Sequence, residues 1–311
     1  MPANDMSTGV VLREVGLRDG LQSLARTVPT ADKLAWLRAA HAAGLREIEV
    51  GSFVPARLLP QLADTAELVA VARTLPGLAT SVLVPNLKGA QAAIDSRADA
   101  MLLPLSASHA HSLANLRRTP DEVVAEIGRI RALRDASGSR CRIEVGISTA
   151  FGCTIQGRVD PDEVLRLVQA ALDAGAEQVG LADTVGFADP LQVARLFERG
   201  LRVAGDRLAC AHFHDTRGLG MANAYAAWQA GIRRFDASLG GIGGCPHAPG
   251  ASGNVATEDL AYLFMSMGVP TGLDFDALMA LRGRIAQWLA GEPLHGSIWR
   301  AGLPRTLKEP A

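Results

Sequence analysis

Cysteine is scarce in this chain: four residues in 311, none in a CxxC pair. So few thiols in so long a chain exclude a disulfide framework, and reduced cysteines in a cytoplasmic setting are the expectation. Long apolar runs are missing too. No stretch approaches 18 consecutive apolar residues, which argues against a helical membrane span. Residues 1–9 have neither a basic region nor an apolar core, so a secretory leader is not expected. Neither sign of charge prevails: 31 Lys and Arg face 32 Asp and Glu, for a net charge of -1. The basic pairs Arg117-Arg118 and Arg233-Arg234 are too short for a nucleic-acid footprint and read as solvated faces. Aromatic residues make up only 5% of the chain, although 48% is hydrophobic, so the core is built mainly from aliphatic side chains.

What is present is an alternation. Short apolar runs at 10–15, 47–53, 80–85, 100–105, 142–149, 178–183, 208–214 and 234–239 read as strands. Between them, stretches at 31–43, 62–75, 87–96, 120–136, 161–174, 190–204 and 219–230 have helical period. Thr119-Pro120-Asp121-Glu122 and Asp160-Pro161-Asp162-Glu163 place proline at the first helical position and acids in the first turn. Ala43-Gly44, Ala174-Gly175 and Ala230-Gly231 place glycine just past a helix end. Eight strand–helix units in about 250 residues predict an α/β fold, one (β/α)8 TIM barrel over about 10–254. Further helices and a tail are expected from about 255 to 311. No linker or low-complexity tract interrupts the chain, so it is read as a single domain.

A barrel of this kind carries its active site at the C-terminal ends of its strands, and polar residues gather there. Arg18 and Asp19 follow strand 1, Glu49 and Ser52 lie in strand 2, and Asn86 follows strand 3. Ser106, Ser108 and His109 follow strand 4, Ser148 and Thr149 end strand 5, and Asp183 and Thr184 end strand 6. Strand 7 ends in Ala211-His212-Phe213-His214-Asp215-Thr216. Alternation puts His212 and His214 on one face, about 6–7 Å apart along the strand, where one divalent cation can take both rings. Asp19 would add a carboxylate, and Asn254 a carbonyl oxygen. Two nitrogens with oxygens and no thiolate favour Mg2+ or Mn2+, with Zn, Co and Fe as competitors. Read in isolation, the histidines would be structural groups at a strand end, and Asp19 a partner for Arg18 or a turn cap. Convergence on one mouth favours the metal.

Arg18 beside such a centre would hold a carbonyl and stabilise an enolate, and Glu49 would fix its rotamer, or simply pair with it inside the barrel. Cys245 sits in the glycine-rich stretch 240–254, too flexible for a regular helix or strand and well suited to a lid. A thiol on a lid can move a proton as it closes. Cys141, Cys153 and Cys210 read as packing residues, and His109, His111 and His247 as polar loop residues.

Several motifs together resemble the 3-hydroxy-3-methylglutaryl-CoA lyase family, within the wider superfamily of metal-dependent barrel lyases and synthases. They are Glu14-Val15-Gly16-Leu17-Arg18-Asp19-Gly20-Leu21-Gln22, Ile48-Glu49-Val50-Gly51-Ser52-Phe53-Val54, Pro85-Asn86-Leu87-Lys88-Gly89, the His212 to Thr216 run, Gly243-Gly244-Cys245-Pro246, and Gly253-Asn254-Val255-Ala256-Thr257-Glu258-Asp259. The resemblance implies that Asp19, His212, His214 and Asn254 bind a divalent cation. It implies that Arg18, oriented by Glu49, stabilises the enolate and that Cys245 transfers a proton. Gln22, Ser52, Asn86 and Asp183 stand on the substrate side or behind it. The implied reaction is retro-Claisen cleavage of a 3-hydroxyacyl-CoA, 3-hydroxy-3-methylglutaryl-CoA in the parent case, to acetyl-CoA and acetoacetate. The implied assembly is a homodimer, with neither nucleic acid nor membrane as a partner. Ser23-Leu24-Ala25, the Ser106 to Ser112 run, Arg217 and His247 depart from the family pattern. These departures leave open a related thioester, citramalyl- or methylmalyl-type, or a superfamily aldolase or synthase acting on a 2-oxo acid.

Overall fold

The structure, a computed structural model, describes residues 9–244 and 253–305. Eight parallel strands hydrogen-bond in chain order, and the last closes on the first. They are β1 (Val11–Glu14), β2 (Glu47–Ser52), β3 (Ala79–Leu83), β4 (Ala100–Ser106), β5 (Arg142–Ser148), β6 (Gln178–Asp183), β7 (Leu208–Phe213) and β8 (Arg234–Ala237). The helices outside are α1 (Thr30–Ala42), α2 (Thr65–Ala72), α3 (Leu87–Ser96), α4 (His109–Leu116), α5 (Pro120–Ala136), α6 (Pro161–Ala174), α7 (Pro190–Ala204) and α8 (Gly220–Gln229). Beyond the barrel come α9 (Thr257–Ser266), α10 (Phe275–Trp288) and α11 (Ile298–Ala301). Among the described residues no helix is long and apolar enough to cross a membrane.

The barrel follows from strand alternation. On β5, Ile143, Val145 and Ile147 are fully buried, and on β6 so are Val179 and Leu181. These positions face the helices, and Val145 pairs with Val179, Ile147 with Leu181. The residues between them face the barrel axis. On α6, Val164, Leu167, Val168, Ala171 and Leu172 form the buried stripe. Each such side chain contributes roughly 1.5–3 kcal/mol by leaving water. Thr119 and Glu122 exchange hydrogen bonds as a capping box at the start of α5, with Pro120 in its first turn. Gly175, at φ +112, ends α6 in the left-handed region that its lack of a Cβ permits.

Some boundaries differ from expectation. The segment 62–75 divides into a 3-10 turn, Pro60–Leu62, and the shorter α2. At the break the Thr65 hydroxyl lies 2.7 Å from the Leu62 carbonyl and 3.1 Å from the Ser52 carbonyl, sharing its one proton between them. His109 and His111 lie on helix α4 rather than in a loop, with Ser108 as the N-cap. β1 stops at Glu14, and a π-helical turn, Gly16–Gly20, folds Arg18 and Asp19 over the barrel mouth. The Val15 carbonyl accepts from Arg18, Asp19 and Gly20. A Cβ on Gly16 would lie 2.5 Å from Glu14 Oε1 and 2.7 Å from the Trp36 ring, so this approach requires glycine.

Two buried carboxylates anchor the root of the glycine-rich stretch. Glu14 accepts from Gly16 N, Leu239 N and Thr257 Oγ1. Glu258 accepts from Gly240 N and from Arg282 Nε at 2.8 Å. Burial pushes the Glu14 carboxyl up to about 7, with nearby Glu258 adding to the rise and the three donors opposing it. The folded state thus holds this proton more tightly than the unfolded chain, where the carboxyl titrates near 4.5. The stabilisation is complete below that value and lost as pH rises through 7, a difference of roughly 3 kcal/mol. Replacing Glu14 by Gln should flatten the fall in denaturation free energy between these limits. Parallel pH profiles for the two proteins would contradict the assignment.

Candidate active site

The π-turn delivers Asp19, and β7 with its extension delivers His212 and His214. One ligand atom from each lies within 4.8 Å of the others. The two imidazole centroids are 5.1 Å apart. His214 Nε2 is 3.7 Å from Asp19 Oδ2. Asn254 joins through an isolated bridge to His214, and its Nδ2 donates to Asp19 Oδ2 at 2.7 Å and to the Ile242 carbonyl at 3.0 Å. Its Oδ1 is buried and has no protein partner. A buried acceptor without a donor is costly unless something electropositive serves it. Two imidazoles, a carboxylate and this amide oxygen therefore fit a divalent cation.

Arg18 bridges two acids. Its Nη1 lies 2.6 Å from Asp19 Oδ1. Its Nε lies 2.8 Å from Glu49 Oε2, an ion pair whose angle falls outside hydrogen-bond alignment. Burial works against the guanidinium charge, but Glu49 and Asp19 more than offset it. Burial would likewise raise the Asp19 carboxyl, yet Arg18, then His214 and His212, hold it well below the usual carboxylate range. Asp19 is thus an anion at any working pH.

His212 rests on a support that the strand-end reading did not include. Its Nδ1 lies 3.2 Å from Asp236 Oδ2. A carboxylate only accepts, so Nδ1 carries the proton and Nε2 keeps its lone pair for a cation. Arg13 grips Asp236 through Nε at 2.7 Å and Nη2 at 3.0 Å, and reaches Glu144 at 2.8 Å. Arg234 holds Glu144 from the other side at 2.8 Å. Cys210, expected as packing, sits in this ionic layer with its thiol 3.2 Å from Asp236. The sequence signal was the charge pair Arg234 and Asp236 at alternate positions of a barrel strand, where both face the axis. Replacing Asp236 by Asn should weaken Mn2+ binding ten- to a hundredfold. Titration by electron paramagnetic resonance reads this directly, and unchanged affinity would contradict the support.

A cavity of about 640 Å³ reaches from these residues into the barrel and, past Leu103 and Val145, to Val123, Ile127 and Ile130 on α5. Gln22 and Asn86 line it, although Asn86 Oδ1 also caps α3 by accepting from Gly89 N. Ser52 and Asp183 are placed differently. Ser52 Oγ accepts from Val54 N, and Asp183 accepts from Phe187 N and Ala188 N. Both fasten turns behind the wall. Burial raises the Asp183 carboxyl against those two donors. His111 is buried, with Nδ1 2.7 Å from Ser106 Oγ, beneath the same mouth. Cys153 is buried, its sulfur accepting from Ile155 N and Gln156 N. Gly244 lines the cavity. Cys245 and His247 lie outside the described residues.

A closed eight-stranded parallel barrel, with an Asp/His cluster on its C-terminal rim that could hold a cation, defines a class of barrel enzymes in which the strand ends do the chemistry. The family model described as HMGL-like matches residues 10–285, and the chain belongs to that family. Over 306 residues it is 40% identical to (R)-citramalyl-CoA lyase of Chloroflexus aurantiacus, covering 94% of this chain and 95% of that one. It is 40% identical over 277 residues to 3-hydroxy-3-isohexenylglutaryl-CoA/hydroxy-methylglutaryl-CoA lyase of Pseudomonas aeruginosa, covering 89% and 91%. Among solved structures, an HMG-CoA lyase of A. baumannii in complex with coenzyme A and 3-methylmalate superposes with a TM-score of 0.90 at 39% identity, covering 97% of each chain.

Proposed function

We propose that this chain is a divalent-metal-dependent lyase that cleaves 3-hydroxy-3-methylglutaryl-CoA to acetyl-CoA and acetoacetate. The observation that carries this reading is the Asp19, His212 and His214 cluster with Arg18 held against it. Asp19, His212, His214 and Asn254 would hold the cation, and Mg2+ or Mn2+ suits a set without thiolate. Once bound, it supplies a Lewis acid for the substrate's 3-hydroxyl and carbonyl oxygens.

The chain's own residues account for the rest. The 3-hydroxyl gives up its proton to solvent as the C2–C3 bond breaks, and the bond's electron pair passes into the thioester as an enolate, leaving the C3 oxygen as the ketone of acetoacetate. Arg18, kept charged and aimed by Glu49 and Asp19, stabilises the oxygen where that charge gathers. Protonation at C2 then completes acetyl-CoA, and the thiol of Cys245 is the proposed carrier of the proton. Asp236 and Arg13 keep His212 in one tautomer.

A second reading is a citramalyl-type thioester. The relative of Chloroflexus aurantiacus supports it, as does the neighbour that binds coenzyme A and 3-methylmalate. We also propose a cytoplasmic homodimer, and sedimentation would check the assembly. The described cysteines Cys141, Cys153 and Cys210 are all free, as a reducing compartment would leave them. The test is release of acetyl-CoA, with Mg2+ or Mn2+ supplied, from each thioester in turn. Acetyl-CoA and acetoacetate from the methylglutaryl substrate support the first reading. Product from the citramalyl thioester alone selects the second, and product from neither overturns both.

A further inference from the structure

The axis of this barrel is open where such barrels are packed. Bulky branched side chains ordinarily fill the interior in layers. Here Leu83, Pro104, Gly146, Gly180 and Ala182 face the axis and are only partly buried, while their outward neighbours Val82, Leu105, Ile147 and Leu181 are fully buried. The same cavity that holds Asp19, His212 and His214 runs past these residues to Arg13, Glu144 and Asp236. From His214 to Cys210 is two same-face steps on β7, about 10 Å along the axis once the strand tilt is allowed for.

Two glycines leave this space, for different reasons. A Cβ on Gly180 would come within 3.1 Å of the Cys210 Cβ and carbonyl oxygen, so a side chain there would be crowded by the neighbouring strand. A Cβ on Gly146 would meet only Leu102 Cδ1, at 3.6 Å, an ordinary contact, and its φ is not positive. Nothing in the fold requires glycine at 146, and glycine weakens a strand interior. What its absent side chain leaves is the bore. The floor offers no free charge. Arg13 is ion-paired with Asp236 and Glu144, and Arg234 with Glu144 and Glu47, so the charge of each guanidinium is already offset, although Arg234 Nε itself makes no hydrogen bond. A carboxylate entering the bore would find no unpaired cation among these residues, whereas the Leu83, Leu102 and Pro104 walls suit hydrocarbon.

We propose that the bore beneath the cation cluster accepts an uncharged substituent larger than methyl on C3 of the substrate, and that Gly146 sets this selectivity. The inference rests on the lyase reading and extends its substrate class from the 3-methyl thioester to those with a longer apolar 3-substituent. The reacting carbons stay at the rim beside Arg18, and the substituent points down the axis.

The test compares the full chain with Gly146→Leu on 3-hydroxy-3-methylglutaryl-CoA and its 3-pentyl analogue, reading acetyl-CoA release. The parent should cleave the pentyl thioester with kcat/KM within about tenfold of the methyl thioester. Gly146→Leu should move the pentyl-to-methyl ratio by at least about thirtyfold toward methyl. Gly146→Ala, whose added carbon meets only Leu102, should move it the same way by less, which preserves the test if the leucine variant fails to fold. A purely structural effect would lower both rates together and leave the ratio unchanged. Cleavage of the methyl thioester without the pentyl one, or a ratio that ignores position 146, overturns the inference. Product from neither thioester overturns the lyase reading instead.

Discussion

Replacing Arg18 by Gln should lower kcat/KM by at least a thousandfold, about 4 kcal/mol in barrier height, with the metal site saturated. Two effects add. In the proposed mechanism the enolate oxygen loses the guanidinium that would stabilise it, and that interaction strengthens only as charge develops, so the loss should fall on kcat. Glu49, fully buried, also loses its partner, and a buried carboxylate without one takes up a proton or distorts its surroundings. Mn2+ content should stay near that of the parent, because Arg18 is not a ligand. Metal-replete Arg18→Gln turning over at the parental rate would remove Arg18 from the chemistry.

The second large effect belongs to Asp19. Asp19→Asn keeps shape but removes the one carboxylate in the cluster. It also sets an amide against the Nδ2 of Asn254, which donates to Asp19 Oδ2 at 2.7 Å. Metal affinity should fall more than a hundredfold, beyond the range usual for outer supports such as Asp236, and turnover at fixed metal concentration should collapse with it. Excess Mn2+ should restore part of the rate. Resonance titration of the free enzyme separates this from Arg18→Gln, which loses rate without losing metal. Parental affinity in Asp19→Asn would place the cation elsewhere.

The barrel was legible because alternation and helix-end chemistry repeat eight times, and errors at one boundary do not propagate. His212 and His214 were legible because two residues of one strand must share a face. Arg18, Asp19 and Glu49 were legible as strand-end polar residues, although the folded chain alone shows Arg18 spanning both acids. Ser52 and Asp183 illustrate the limit. A side chain can spend its hydrogen bonds on the backbone of its own turn, and sequence position alone does not distinguish this from facing a pocket. Asp236 and Arg13 were missed for the opposite reason. The two residues are 223 apart in the chain, and the alternate spacing of Arg234 and Asp236 on one strand was the sole local sign of the layer they form. Helix α4 hid in a serine- and histidine-rich run whose start depends on the Ser108 cap, with its side chain accepting from His111 N. The open axis was invisible as well. A glycine in a strand signals close backbone approach in one place, Gly180, and an unfilled bore in another, Gly146, and only the neighbours of each tell them apart.

All of these roles depend on a cation at the rim between Asp19 and the two imidazoles. Anomalous diffraction at the manganese edge, from crystals grown with Mn2+, tests that directly. A single peak within coordination distance of Asp19, His212 Nε2, His214 and Asn254 Oδ1 is the expected result. A peak elsewhere, with those four groups left unligated, would contradict the account.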